Sequence, residues 1–533
     1  MANSLPIHVM TGPDLIARYM FQMHPAPRRG DAYLHNSPYH GNSHAADHAI
    51  LIPVIDDGGR HRFTVFTKAH QADCGNALPT TYMAAARDVY EEGALIFPAV
   101  RIQQDYEFID DIVRMCELRI RASHQWKGDL LALVGSARIG ERLVLSLAAE
   151  VGWEALDNYT SQWFDYSEQA MIDAIASLPA GTVVATTTHD PFPNVPDGVP
   201  IRVQVTVDPN DARIEVDLTD NVDCLPCGLN TTESTARNGA LIGIFNSLDR
   251  VVPNNSGSFR RLTVRLRENC AVGIPRHPAS CSVGTTAFPN RIGNAVQRAL
   301  AELRDGIGMA EIGLIMSPTM AVISGNDPRN DGQPFVNQLI LGHPGGAGGH
   351  GFDGWPTIGD LGSGAMLLLD SVEVAESNYP ICVYERRMVS DTEGPGRDRG
   401  APGTLVEFGP VDCTIDAFYT SDGSVFPALG ARGGFPGLVA TQFKQERSGE
   451  RVPLPLFGRI TLEPGTTILS RSCAGGGYGS PFERDPMKVG DDVVEGWITL
   501  ERACEVYGVV VGEGGDVDLA GTRALRARMV SAS

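Results

Sequence analysis

The chain has 533 residues, with 43 Lys plus Arg against 64 Asp plus Glu, giving a formal charge of −21. That length excludes a small module and allows about three domains or one large composite unit. Such acidity argues against general binding to the phosphate backbone of nucleic acid, and no apolar run reaches the roughly 18 residues of a membrane span.

The opening residues, Met1-Ala2-Asn3-Ser4-Leu5-Pro6, lack the basic region and apolar core of a secretory signal, so a cytoplasmic protein is expected. Ala49 to Ile55 and Arg62 to His70 flank Asp56-Asp57-Gly58-Gly59 and are predicted to form a β-hairpin, because paired glycines suit a tight primed turn. A helix is predicted over 82–92, and apolar spacing predicts helices over Glu141 to Val151 and Tyr166 to Leu178. Ile201, Val203, Val205 and Val207 alternate, Pro209 to Ala212 turn the chain, and Ile214, Val216 and Leu218 alternate again, which predicts a second hairpin. Thr231 to Leu248 and Gly293 to Leu303 read as helices. From about 312 glycine and proline are dense and short strands dominate, until a last helix near Leu500 to Tyr507. Without regular strand-helix alternation, the predicted class is α+β, a large multi-layer unit with mixed and antiparallel sheets and a β-rich C-terminal half. Three stretches are distinguished: 1–130 around the first hairpin, 131–310 mixing helices and strands, and 311–533 rich in glycine and strand.

Some chemistry is missing from the chain. Its four lysines, Lys68, Lys127, Lys444 and Lys488, never follow a glycine, so there is no Gly-Lys phosphate loop, and no Gly-x-Ser-x-Gly elbow occurs. If ATP is involved, it is expected on a partner chain. Of ten cysteines only Cys224 and Cys227 are spaced Cys-x-x-Cys, without a second pair to complete a zinc site, and reduced thiols packed in a turn are expected.

Eight of the thirteen histidines fall in the first seventy residues. A hairpin symmetric about Gly58 and Gly59 sets Asp47 opposite His70, on one face and with Cβ atoms roughly 5 Å apart. His44, three residues earlier, can curl onto the same spot. Two imidazoles and a carboxylate can form an open, catalytic type of metal site, or Asp47 and His70 can form a buried charge-assisted pair with His44 a loop residue. His48 points to the opposite face, and His40 reads as a solvated loop residue. Asp73, opposite His44 in the same register, is a candidate fourth ligand, orienting group or general base. Further on, Gly346, Gly348 and Gly351 spell Gly-x-Gly-x-x-Gly after a predicted strand, but Phe352-Asp353-Gly354-Trp355-Pro356 cannot open a helix, so the dinucleotide-binding reading fails. Gly345, Gly346, Gly348 and Gly349 remain candidates to line a substrate cavity through side-chain-free backbone, with tight turns as the alternative.

The block Gly30-Asp-Ala-Tyr-Leu-His-Asn-Ser-Pro-Tyr-His-Gly-Asn-Ser-His44-Ala-Ala-Asp47 resembles the signature of the hydantoinase B/oxoprolinase family, as does Lys68-Ala-His70-Gln-Ala-Asp73-Cys-Gly75. The glycine loop ending in Asp353-Gly354, Val372 to Pro380, and Gly475 to Pro486 with Glu505 to Val511 are similar to later family blocks in the family's order. About 1–512 thus resembles one hydantoinase B-type unit. The resemblance implies a divalent metal on His44, Asp47 and His70; the imidazole and carboxylate ligands make zinc or manganese the expected ion, and Asp73 is kept as the candidate catalytic residue on its register position. It also implies an A-type subunit that binds ATP and activates the substrate, hence a hetero-oligomer. The implied function is hydrolysis of a cyclic amide such as a hydantoin, lactam or 5-oxoproline; carboxylation of a ketone such as acetone or acetophenone is the runner-up, and a non-catalytic scaffold the third reading. Ser37 and Gln71 replace the family's Asp and frequent His. The family's N-terminal Asp-Phe-Ser-type segment is also missing ahead of Pro6-Ile7-His8, so another group, a partner or a misassigned start is expected to account for its ligand.

Overall fold

In a computed structural model, the described residues are 5–192, 195–356, 361–363 and 367–532. The N-terminal stretch contains helices α1 (Pro6–Val9), α2 (Pro13–Met23), α3 (Val89–Glu92), α4 (Asp110–Arg119), α5 (Ser123–Val151) and α6 (Trp153–Ala176). Its strands are β1 (Ala32–His35), β2 (Asp47–Ile55), β3 (His61–His70), β4 (Val100–Gln104) and β5 (Glu107–Phe108), in one antiparallel sheet ordered β3-β2-β1-β4-β5. The continuous apolar run of β2 follows from burial on both faces. Ile50 and Ile52 pack with Trp126 and Leu130 of α5, and Leu51 packs with Ile16 and Met20 of α2.

The first hairpin holds the expected register, Asp47 opposite His70 through Val54 opposite Phe63. Its end is looser than a primed two-residue turn: a bulge falls between Val54 and Ile55, and of the two glycines only Gly59 takes a positive φ, 79°. The helix expected over 82–92 shrinks to α3. Asp88 starts it by accepting the N–H groups of Tyr90 and Glu91, whereas Met83 and Ala84 spend backbone groups on Ser282 and Gly228. The helices expected over 141–151 and 166–178 are the C-terminal parts of the longer α5 and α6.

The middle stretch has β6 (Gly181–His189), β7 (Val199–Asp208), β8 (Arg213–Asp217), α7 (Glu233–Phe245), α8 (Ser256–Phe259), β9 (Leu262–Arg265) and α9 (Phe288–Leu303). Its sheet, β6-β7-β8-β9, is antiparallel except for the parallel β8–β9 pair. Helices α7 and α9 pack beside it in the largest hydrophobic core, which reaches from Ile7 to Tyr478 and draws on all three stretches of the chain. The fully buried Arg291 of α9 grips Asp422 through Nε at 2.8 Å and Nη2 at 2.7 Å, tying this core to the C-terminal stretch.

The C-terminal stretch has β10 (Val322–Asp327), β11 (Gln333–Gln338), α10 (Val372–Asn378), β12 (Ile381–Met388), β13 (Thr404–Pro410), β14 (Ile415–Thr420), β15 (Thr441–Gln445), β16 (Arg451–Pro453), β17 (Phe457–Leu462), β18 (Thr467–Arg471), α11 (Pro486–Val494), α12 (Leu500–Glu505) and α13 (Leu519–Ala532). Two antiparallel sheets, β11-β10-β14-β17 and β12-β13-β18-β15-β16, share a core of Ile323, Ala417, Phe408 and Ile468. The whole is α+β, as its element order implies. Among the described residues, no helix is long and apolar enough to cross a membrane.

Beside these sheets lies a stack of glycine segments outside any named strand. Residues 473–478 hydrogen-bond to backbone in four others: Gly345 N–H donates to Cys473 O at 2.9 Å, Gly394 N–H to Gly475 O at 2.9 Å, Gly476 N–H to Glu311 O at 2.9 Å and Gly477 N–H to Phe435 O at 3.0 Å. A Cβ on Gly475 would lie 2.0 Å from the Gly346 oxygen, and one on Gly434 2.0 Å from the Gly477 oxygen. Glycine is required here because backbone packs directly on backbone.

Candidate metal centre

The centre forms where β2 begins. Asn42 pins the preceding loop by donating from Nδ2 to the carbonyls of His44 at 2.7 Å and Asp47 at 2.9 Å. The loop turns the His44 ring over the strand end, so that Nε2 lies 3.0 Å from Asp47 Oδ1. From β3, His70 places Nδ1 3.1 Å from the same oxygen and 3.2 Å from His44 Nε2. One donor atom each from His44, Asp47 and His70 thus lies within 4.8 Å of the others.

The far side of the His44 imidazole fixes its tautomer. His44 Nδ1 lies 2.9 Å from the Ser282 carbonyl oxygen, which can only accept, so Nδ1 carries a proton and Nε2 keeps a lone pair when the ring is neutral. His70 Nε2 reaches Thr81 Oγ1 at 3.2 Å, which suits an N–H there and a lone pair on Nδ1. Three lone-pair atoms then face one point, an arrangement that a cation relieves, and outward N–H groups of this kind are the usual second anchor of metal-binding histidines. Without an ion, a proton does part of that work. Burial opposes charge on His44, but Asp47 outweighs it and raises the His44 pKa. Burial likewise opposes charge on Asp47, yet His44 and His8 hold its carboxyl well below the usual range. Burial lowers the His70 pKa, against the pull of Asp47. The donor set fits a divalent ion of the zinc or manganese type.

The second carboxylate oxygen is also engaged. Asp47 Oδ2 lies 2.6 Å from His8 Nδ1 and accepts a short hydrogen bond from Ser43 Oγ. Lys68 donates from Nζ to Ser43 Oγ at 3.0 Å and to the His8 carbonyl at 2.9 Å, and burial pushes its ammonium down to about 8. Tyr82 stacks on both imidazoles, with ring centroids 6.0 Å from His44 and 5.6 Å from His70. Sequence reading missed His8, Ser43, Thr81 and Tyr82. The proximity of Ser43 to His44 was the one available signal, because the others arrive by tertiary packing.

Several candidates stand elsewhere. His48 points away from the centre, as expected, and takes the Trp126 Nε1–H at 3.3 Å; burial lowers its pKa to about 3. His40 is stacked on Tyr19 at 3.9 Å and bonded to Ser37 at 2.8 Å, so it is a packed residue instead of a solvated one. Asp73 is not brought into the cluster. Its carboxylate accepts the backbone N–H groups of Gly75 at 2.9 Å, Arg121 at 2.9 Å and Ala122 at 3.1 Å, which anchors the approach to α5 and leaves a general-base role without geometric support.

Gly345, Gly346, Gly348 and Gly349 are all buried. A Cβ on Gly345 would meet Ala401 O at 2.1 Å, one on Gly348 would meet Asp398 O at 2.3 Å, and one on Gly349 would meet the Phe352 ring at 2.2 Å. Gly346 donates its N–H to Trp355 O at 3.1 Å and packs its oxygen against Gly475. The approach these glycines permit is made by the protein's own chain, so the expectation of a substrate-lining loop is replaced by internal packing. Asp353, from the same block, instead pairs with the buried Arg484 at 2.6 Å, and Arg484 with Asp492 at 2.7 Å, joining two of the resemblance blocks. The Cys227 thiol is buried and its pKa is raised to about 11, the behaviour of a packed thiol.

The family model described as Hydantoinase B/oxoprolinase matches residues 1–481. The B chain of a putative D-/L-hydantoinase from Pseudomonas sp. (strain NS671) is 28% identical over 522 residues, covering 93% of this chain and 84% of that protein. The beta chain of the caprolactamase of Pseudomonas jessenii is 26% identical over 503 residues, covering 93% of this chain and 85% of that protein. Among solved structures, the crystal structure of the ATP-dependent caprolactamase from Pseudomonas jessenii superposes with a TM-score of 0.89 at 24% identity, covering 98% of this chain and 90% of that one.

Proposed function

The chain belongs to the hydantoinase B/oxoprolinase family, and from that premise we propose that it is the B-type subunit of an ATP-dependent cyclic-amide hydrolase. Its substrate class is a hydantoin, lactam or 5-oxoproline, activated by an A-type ATP-binding subunit in a cytoplasmic hetero-oligomer. The observation that supports this reading is the convergence of His44 Nε2, His70 Nδ1 and Asp47 Oδ1, with both imidazoles tied outward to Ser282 and Thr81. When bound, a divalent ion supplies Lewis acidity toward an oxygen and lowers the pKa of a water. The chain's own residues orient the site. Ser282 holds the His44 tautomer, Thr81 anchors the outer edge of the His70 ring, and His8 and Ser43 occupy Asp47 Oδ2, so that Oδ1 stays turned toward the imidazoles. The retained donor set favours a catalytic subunit over a scaffold. The missing Gly-Lys loop, and relatives that are themselves called subunits, support the assignment of ATP to a partner.

The test is to purify this chain with its A-type partner and follow ATP turnover with hydantoins, lactams, 5-oxoproline, and ketones plus bicarbonate. Metal-dependent ring opening that His44→Ala abolishes is the expected result. Turnover confined to ketones with bicarbonate would move the protein to the carboxylases, and ring opening unchanged in His44→Ala would refute the metal role.

A further inference from the structure

Glu92 is a buried carboxylate that no arginine or lysine answers among the described residues. The other three buried glutamates described each hold an arginine: Glu141 pairs with Arg138 at 2.9 Å, Glu311 with Arg298 at 3.0 Å and Glu393 with Arg502 at 2.7 Å. Glu92 closes α3, is 4% exposed, and accepts a hydrogen bond from Ser280 Oγ at 2.6 Å. Burial pushes its carboxyl up, and Ser280, the His44 imidazole and Ser282 pull it only part of the way back. Its thiol neighbours offer no positive charge either: burial, with Glu92 next, holds Cys74 and Cys281 protonated. A carboxylate taken out of water at this cost calls for a cation.

The acid stands behind the metal centre, two serines away from His44. Ser280 Oγ accepts the Ser282 N–H at 3.3 Å, and the Ser282 carbonyl accepts from His44 Nδ1 at 2.9 Å. The Ser282 hydroxyl also donates to the Thr81 carbonyl at 3.4 Å, and Thr81 Oγ1 meets His70 Nε2, so Ser282 serves both imidazoles. The serine segment is clamped onto the start of α3, where Val89 N–H donates to Pro278 O at 3.0 Å and Ser280 N–H to Arg87 O at 3.4 Å. On the near side, Asp47 is the one carboxylate of the donor set. With two neutral imidazoles it leaves a divalent ion one positive charge in excess, and His8 and Lys68 beside Asp47 add no negative charge. Asp73 is turned away onto the N–H groups of Gly75, Arg121 and Ala122.

We propose that Glu92 is the second negative charge of the metal centre, balancing the divalent ion from behind His44 and holding that ring through Ser280 and Ser282. The inference rests on the metal-centre reading and deepens it. A negative charge on the outward side of a metal-binding imidazole makes the ring a better donor, and loss of such a partner costs about 10- to 100-fold in metal affinity. Glu92 acts through His44 and is a positioning residue. An anchoring role alone predicts otherwise, because it would show in the stability of the metal-free chain.

The test titrates zinc and manganese chlorides calorimetrically into the chelator-treated full chain and records thermal midpoints of the metal-free proteins. Glu92→Gln keeps an oxygen for Ser280 and removes the charge. It should weaken both metals about ten-fold or more while leaving the metal-free midpoint unchanged or higher, and Glu92→Asp should regain part of the affinity. Glu141→Gln, which breaks the buried pair with Arg138, should do the reverse, lowering the metal-free midpoint and sparing metal affinity. Unchanged affinity in Glu92→Gln overturns the proposal. So does a metal-free Glu92→Gln chain that melts lower or fails to fold, since Glu92 is then an anchor like Glu141. His44→Ala separates the two readings. If it loses the metal while Glu92→Gln keeps full affinity, the inference alone falls; if it binds metal as the wild type does, the metal centre falls and the inference with it.

Discussion

Asp47 and His70 are direct cross-strand partners in the β2–β3 ladder, with His70 Nδ1 3.1 Å from Asp47 Oδ1. This pairing depends on register, and a slip of one residue would turn one partner to the opposite face of the sheet. With His44 added from the loop, it gives the first prediction. Elemental analysis of the purified complex should find about one equivalent of divalent metal per chain in the wild type, and that metal should be lost from His44→Ala and His70→Ala. His48→Gln, altered on the opposite face, should keep it. Chelation should lower the thermal midpoint of the wild type and not that of His44→Ala, because binding to the folded state alone is stabilising.

Asp73 should behave as an anchor. Replacing it with alanine leaves three buried or half-buried backbone N–H groups short of an acceptor and should cost about 1–3 kcal/mol in denaturant unfolding. Metal content should be unaffected. Loss of metal at unchanged stability would restore Asp73 to the centre.

Glycine substitutions should divide according to what stands at the missing Cβ. Gly345→Ala and Gly348→Val drive a carbon into the Ala401 and Asp398 carbonyl oxygens and should yield insoluble or unfolded protein instead of a folded, inactive one. Gly135→Ala, inside α5 with nothing within 4 Å, should be tolerated and raise stability by up to about 1 kcal/mol. Soluble expression and thermal melting check both.

Stability should fall on acidification through the buried neutral histidines. Burial lowers the pKa of His35 and of His48 to about 3 in the fold, against 6.5 in the unfolded chain. The unfolded chain therefore takes up protons first as the pH drops. The contribution is fully present above 6.5 and is lost between about 6.5 and 3, by about 1.4 kcal/mol per pH unit for each histidine. Urea unfolding of chelated protein at pH 7, 6 and 5 measures the slope, and His48→Gln should flatten it.

The first hairpin could be read from sequence because the paired glycines between two strand-like runs leave one symmetric register, and that register placed two of the three clustered donors. His44 needed only a loop three residues long. His8 could not be read in this way: it reaches Asp47 from a four-residue helix by tertiary packing. Asp73 misled for the converse reason. The register was carried past the end of the ladder, which stops at Asp47 opposite His70; the chain leaves the strand there, so the Asp73 carboxylate follows the backbone toward α5. The glycine segments carried no periodicity at all, since their order lies in hydrogen bonds between segments far apart in the chain, such as Gly476 to Glu311.

The central segment of the glycine stack, 473–478, is also the last of its segments to leave the ribosome. Until it emerges, 311–313, 345–348, 394–401 and 429–437 lack the rod they close around. Synthesis therefore delivers the first hairpin and its helices long before the C-terminal core can set. A chain that stopped short of residue 473 would retain contacts such as Gly313 to Gly345 and Glu311 to Leu429 but lose the segment that joins them into one stack.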